Sequence, residues 1–447
     1  MSRDFGLELR GLRIRAANWD FVDLRIDIPP MSHGSDAANP HTQYSNAVAV
    51  VKEPDLNGVG ATFSLGSGND LICGAAQYIV SEFDGQLVGD LMDRPGGLHE
   101  TLVNTRQIRW LSPNAGLPMM GAGLIVNTLL DVAAKRAGLP AWEFLARLKT
   151  EDLLRLISLH HLAPSVTAAQ VGRYLERSLP GVPDRCAELR TSGLPVYFTT
   201  WIGHSEDEIT QQIRHEWHSR GIQTFKIKIG SDLDNDLKRL DAVRSSMPSG
   251  AQIAVDANQT LSFAIASQWL RELSAREILW LEEPFAPDNV HLFSMLVDVK
   301  RSEKLPCEIA TGENCPNAHT AWALMNVGID RFQPDPCRMF GVVDGITTAV
   351  IAKVRGCEYT PHAGGTGLDE LAPHMQLFNL ARIDVARNPR TSLTENVGFC
   401  SQFYSQPTRV SNGRAETPTQ PGLLVGYAPK VDHRMKSFQE GITWLEL

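Results

Sequence analysis

Residues 224–230 read TFKIKIG, and five more apolar runs follow in order: IAVDANQ at 253–259, LWLEEP at 279–284, EIATGEN at 308–314, DRFQPD at 330–335 and EYTPHAGG at 358–365. Each ends in side chains able to do chemistry: Lys226 and Lys228, Asp256 and Asn258, Glu282 and Glu283, Glu313, Asp335, and His362. The segments between them are long enough for a helix and two loops. That is the rhythm of consecutive βα units laid strand after strand in one parallel sheet.

Strand alternation sharpens this reading, because successive side chains face opposite ways. Phe225, Ile227 and Ile229 share one face of TFKIKIG, and Lys226 and Lys228 share the other. A parallel sheet covered by helices takes the apolar face, so the lysines point into a barrel or cleft. The same parity pairs Asp256 with Asn258, Glu282 with Trp280, Asp335 with Gln333 and His362 with Thr360. One polar group per strand end suits the carboxyl-end face of a (β/α) barrel, where active sites gather.

Outward from this core, LPVYFTTW at 194–201 reads as the first barrel strand and TSLTENVGF at 391–399, with Glu395, as the last. Helical periodicity marks 71–91, 118–149, most of 150–190, 206–220 and 366–382. Residues 6–28 alternate like a strand, 46–65 read as a hairpin turning near Asp55–Gly58, and ARIDVA at 382–387 reads as a short strand. Gly66 and Gly68 in GSGND form a turn, or let backbone approach a ligand. PPMSHGSDAANPHTQYS at 29–45 is a loop by composition, and PGLLVGY at 421–427 is expected to pack back onto the first unit.

The chain of 447 residues is long enough for a barrel and a companion domain. Hydrophobic residues make up 43% and charged residues 21%, an ordinary balance for a soluble globular protein. A net charge of −9 gives no nucleic-acid surface. The 7 cysteines lack CxxC spacing and read as reduced thiols of a cytoplasmic chain. The N-terminus lacks a signal-peptide core, and no apolar run approaches the ~20 residues of a membrane span.

Asp256, Glu282 and Glu313 at successive strand ends suit a hard divalent cation such as Mg²⁺, which takes oxygen ligands and leaves room for substrate. Lys228 flanks this centre on one side, with Lys226 paired to a carboxylate inside the barrel. His362 lies on the far side, with Asp335 one strand earlier placed to set its tautomer. A cation between two opposed bases points to abstraction of a proton α to a carboxylate, since the enediolate needs concentrated positive charge.

Together, Lys-x-Lys, VDANQ, LEEP, TGE, Asp335 and the PHAGG histidine resemble the mandelate racemase branch of the enolase superfamily, a group whose use of a Lys or His base with Mg²⁺ is a known pattern. Within it, GSDAANPxxxYS at 34–45, GSGND, QIRWLSP at 107–113, GENCPN at 312–317, PHAGGTGLDE and Glu395 are most similar to L-fuconate dehydratase-like acid sugar dehydratases. The resemblance implies a modified (β/α)₇β TIM-type barrel at 151–404 under an α+β capping domain at 1–150, completed by the tail at 405–447. It implies Asp256, Glu282 and Glu313 as Mg²⁺ ligands, Lys228 and Asp335-held His362 as acid/bases, and Lys226 in support. Glu395 stands near the substrate carboxylate or enediolate, Asn258 beside the ligands or substrate, and Asp36, Asn39 and Tyr44 as hydroxyl contacts.

The implied reaction removes water from a small-molecule sugar acid, L-fuconate or a related aldonic or aldaric acid, to give a 2-keto-3-deoxy acid. The expected protein is a cytoplasmic homo-oligomer with no nucleic-acid or membrane partner. Two other readings stand beside it: a racemase or epimerase using the same Lys/His pair, and a non-catalytic metal-binding relative. Three stretches depart from the subgroup: TTWIGHSED after the first barrel strand, Ser67 in the glycine loop, and PCRMFGVVDG with Asp344 and Gly345 after Asp335.

Overall fold

A computed structural model describes residues 4–27, 43–66, 68–104, 106–111, 115–200, 205–230, 232–398, 401, 404–424, 426 and 435–437. The first strands are β1 (Trp19–Asp27), β2 (Gln43–Lys52) and β3 (Asn57–Ser64). The parallel set is β4 (Leu194–Thr199), β5 (Thr224–Lys228), β6 (Gln252–Asp256), β7 (Trp280–Glu282), β8 (Glu308–Thr311), β9 (Arg331–Phe332), β10 (Glu358–Tyr359) and β11 (Thr394–Glu395). The short β12 (Val410–Ser411), β13 (Arg414–Ala415) and β14 (Met435–Ser437) follow.

The parallel ladder runs β4 to β10 in chain order, and β11 returns to pair with the other side of β4. A helix follows each strand from β4 to β10, which is the expected (β/α)₇β order. Main-chain pairing does not join β10 to β11. Gln376 spans them instead, its amide donating to Tyr359 O at 2.9 Å and Leu393 O at 3.0 Å. Side chains from separated strands meet inside: Tyr197 of β4 lies edge-on to Trp280 of β7, and Gln333 after β9 donates to both Tyr197 and Glu282.

The alternation in TFKIKIG works as read. Phe225 and Ile227 are buried among the core apolar residues, and Lys226 is fully buried on the opposite, polar face. The second sheet has the order β14-β1-β2-β3 and is antiparallel. It packs on helices Asn69–Glu82 and Gly116–Ala137. The tail returns as expected: Leu423 and Leu424 donate their N–H groups to Asp131 at 2.8 and 3.1 Å. Gly66 and Gly68 both have positive φ and lead into helix Asn69–Glu82, the turn role.

Three expectations change. Gly6–Arg10, read as strand, is a helical turn that buries Leu9 and ties Arg10 to Asp93 and Asp152; these tertiary ion pairs override the local alternation. ARIDVA is not a strand. Helix Leu368–Phe378 continues as a π-helical turn through Ile383, where buried Arg382 donates to Ala146 O and Thr150 Oγ1. Helix Gly116–Ala137 is, by length and composition, apolar enough to cross a membrane, but 83% of its apolar window is buried within the protein, as in a core helix.

His374 joins the helices, its Nδ1 accepting from Trp142 N at 3.1 Å. Burial pushes its pKa down to about 3. The folded state therefore binds one proton fewer than the unfolded chain below the ordinary imidazole value near 6.5. Its contribution is intact above that pH and is lost as pH falls towards 3, about 2 kcal/mol by pH 5. Urea unfolding at pH 7 and pH 5 should show a His374→Gln variant losing less stability on acidification than wild type. Equal losses would contradict this.

Candidate active site

The strand ends bring the predicted residues together. One oxygen each from Asp256, Glu282 and Glu313 lies within 4.8 Å of the others, on the adjacent strands β6, β7 and the end of β8. Asn258, Gln259 and Glu283, just past those strands, have positive φ values of 41°, 65° and 41°. Non-glycine residues held there cost of order 1–3 kcal/mol each, a strain that clusters at functional sites.

Only Lys226 was expected to pair with a carboxylate, but both lysines do, because Asp256 stands between them. Lys226 is fully buried, contacts Glu282 closely, and lies 3.0 Å from Glu395 and 3.4 Å from Asp256. Lys228 is held by Asp256 at 2.6 Å. On the other side His362 Nδ1 meets Asp335 Oδ2 at 2.9 Å, while Nε2 accepts from Gly364 N at 3.0 Å. In the neutral imidazole this pattern places the proton on Nδ1 and the lone pair on Nε2, where Gly364 N donates to it. Nε2 stands 3.1 Å from Glu313 and 3.8 Å from Glu395. Glu395 is fixed by Thr199 Oγ1 and by Ala363 N at 2.9 Å.

Negative charge is in excess. Burial would lower Lys226, but Glu282, Glu395, Tyr197 and Asp256 hold it well above its ordinary value. Burial pushes Glu282 up to about 7 against the pull of Lys226, with Asp256 and Glu395 adding to the rise. The Lys226 shift reports the surplus of carboxylates, and the Glu282 shift reports burial first and that surplus second. Asp256 stays low because Lys228 and Lys226 outweigh its burial. For His362 burial is outweighed by Glu313, Glu395 and Asp335, which lift it to about 9.

Several acceptors here lack donors. Glu313 Oε2, Asn258 Oδ1 and Glu283 Oε1 are buried without a hydrogen bond. An all-oxygen set with orphaned acceptors and surplus negative charge fits a hard divalent cation, held by Asp256, Glu282 and Glu313. Asn258 sits beside them, its N–H donating to Asp256 at 2.9 Å and its amide to Glu313 at 3.5 Å.

Sequence reading missed several supporting residues. Gln259 and Asn314 each donate to Glu283 Oε2 at 3.0 Å, and Asn314 also donates to Glu313 at 3.1 Å. Gln333 holds Glu282 at 2.6 Å, and Thr199 holds Glu395. Strand parity carried a signal for the last two: Gln333 shares its face with Asp335, and Thr199 with Tyr197. Tyr44 is buried, stacked 5.3 Å from Phe63. A Cβ on Gly365 would come within 2.8 Å of the Phe63 ring, so glycine permits this contact. Asp36, Asn39, Ser67 and residues 201–204 lie outside the described residues.

Lys226→Met should destabilise the fold by about 3–5 kcal/mol in urea, because it strands buried carboxylates; unchanged stability would refute the hub role. Glu313→Gln should weaken Mg²⁺ binding by at least about tenfold by calorimetry. Wild-type affinity would remove Glu313 from the ligand set.

Residues 208–431 match the family model described as enolase C-terminal domain-like. The chain is 29% identical over 430 residues to L-galactonate dehydratase of Hypocrea jecorina, covering 94% of each. It is 28% identical over 446 residues to human mitochondrial enolase superfamily member 1, covering 98% of each. The crystal structure of that human protein superposes with a TM-score of 0.86 at 26% identity, covering 94% of this chain and 95% of that one. The structure of L-talarate/galactarate dehydratase from Salmonella typhimurium LT2, liganded with Mg and L-lyxarohydroxamate, shares the fold with a TM-score of 0.71 at 19% identity, covering 94% of this chain and 92% of that one. The chain belongs to the enolase C-terminal domain-like family, in the mandelate racemase branch of the enolase superfamily.

Proposed function

We propose that this protein is a Mg²⁺-dependent hydro-lyase that dehydrates a sugar acid to a 2-keto-3-deoxy acid. The observation that carries the reading is His362. Its Nδ1 is tied to Asp335 and its Nε2 lies 3.1 Å from Glu313, while Lys228 reaches the same carboxylate cluster at Asp256. The dehydratases among its relatives support the choice of reaction, and L-galactonate, L-fuconate and related aldonic acids are the substrates to try first.

Asp256, Glu282 and Glu313 would hold Mg²⁺, which would supply the positive charge an enediolate needs. Neutral His362 takes the C2 proton at Nε2, and Asp335 stabilises the imidazolium that forms. The same imidazolium then protonates the departing C3 hydroxyl, and the enol product ketonises. Lys228 adds positive charge on the opposite face, and Lys226 keeps Glu395 ionised close to the reacting carboxylate. Racemisation would use the same Lys228/His362 pair, so the fate of the C3 hydroxyl separates the two reactions. The chain is further proposed to act as a cytoplasmic homo-oligomer.

The test is incubation with a panel of aldonic and aldaric acids and Mg²⁺, with and without chelator, scored for 2-keto-3-deoxy product. At least one acid should give chelator-sensitive product, and His362→Ala and Lys228→Ala should each abolish it. C2 epimerisation without keto product would establish the racemase instead. Full activity in either variant would refute the two-base arrangement.

A further inference from the structure

We propose that Asn127, on helix Gly116–Ala137, is a positioning residue for the Asp335–His362 pair, acting through the loop at 336–342 across the contact between the two sheets' layers. Asn127 is buried and grips this loop at both ends. Its Nδ2 donates to Pro336 O at 3.3 Å, and its Oδ1 accepts from Val342 N at 2.9 Å. The fit is close: Gly341 has φ +60°, and a Cβ there would lie 2.3 Å from Asn127 Oδ1.

Three further contacts complete the clamp. Thr62 of β3 donates to Cys337 O at 2.9 Å. Asp344 accepts from Phe340 N at 3.0 Å at the far end of the loop, beside the buried ring of His99. Asn46 of β2 donates to Thr366 O at 3.1 Å, on the loop that follows His362. The 336–342 loop in turn fixes Asp335, because Cys337 N donates to Asp335 Oδ1 at 2.6 Å while Asp335 Oδ2 accepts from His362 Nδ1. Both halves of the pair are thereby set from the antiparallel sheet and its helix. Lys228, by contrast, is placed by its own strand and by Asp256 on the next one. Losing Asn127 leaves Val342 N buried without its acceptor and frees the Pro336 end. Cys337 N then moves, and with it the carboxylate that aims the imidazole.

The inference rests on reading His362 as the base, so its test has one arm that needs no substrate. In full-length protein with ¹⁵N-labelled histidine, the hydrogen-bonded Nδ1 proton is identified as the signal lost in His362→Ala. Asn127→Leu and Thr62→Val should each shift that signal and speed its exchange with water. Mg²⁺ affinity by calorimetry should stay within about twofold of wild type. On whichever acid the panel yields, kcat should fall by about 10- to 100-fold with little change in KM. Thr62→Val, a near-isosteric change, carries the test should Asn127→Leu not fold. An unchanged Nδ1 signal in a folded variant overturns the proposal, whether or not the protein is a dehydratase. So does an equal loss of kcat and Mg²⁺ affinity, which would mark a general structural role.

Discussion

The structure depends on burying more carboxylates than cations at one end of the parallel ladder. Asp256, Glu282, Glu283 and Glu395 are all but inaccessible, and Lys226 is buried among them. Such an arrangement is stable only if every charge is paired and the surplus has a counter-charge. Lys226 pairs with Glu282, Glu395 and Asp256, and Lys228 with Asp256. What remains is Glu283 Oε1 and Asn258 Oδ1 without donors, and Glu313 Oε2 facing His362 Nε2 at 3.1 Å. The fit of the site to a divalent cation is thus a consequence of its charge balance as much as of its geometry. The same surplus raises His362 above its ordinary value.

The ladder explains why these groups share one end. Each strand from β5 to β8 ends within a residue or two of a functional side chain, and parallel register keeps those ends level: Lys228 stands opposite Asp256, and Asp256 opposite Glu282. The antiparallel sheet and helix Gly116–Ala137 do not supply charge to this centre through Asn46, Thr62 or Asn127. They hold the loops on which Asp335 and His362 ride. Lys228 belongs to the rigid ladder, and His362 to loops braced from outside it.

Much of this was legible in the sequence because period-two alternation and strand-end chemistry are local signals. TFKIKIG fixed which face the lysines take, and six motifs in order fixed the ladder. Where reading failed, the deciding forces were distant in sequence. The Gly6–Arg10 turn is set by Asp93 and Asp152, and the π-helical turn at 379–383 by buried Arg382 against Ala146 and Thr150. Gln259, Asn314 and Asn127 were missed for the same reason. An amide or hydroxyl carries no sequence mark of the partner it will meet across the fold.

Proton abstraction at C2 is the central claim, and the isotope content of the product tests it most directly. With a turned-over sugar acid in D₂O, proton NMR of the 2-keto-3-deoxy product should show one solvent-derived deuterium at C3, because the C2 proton leaves to His362 and C3 is reprotonated from exchanged acid. Product that carries the original C2 hydrogen at C3 would mean an internal hydride shift. That result would contradict the base role assigned to the Asp335–His362 pair.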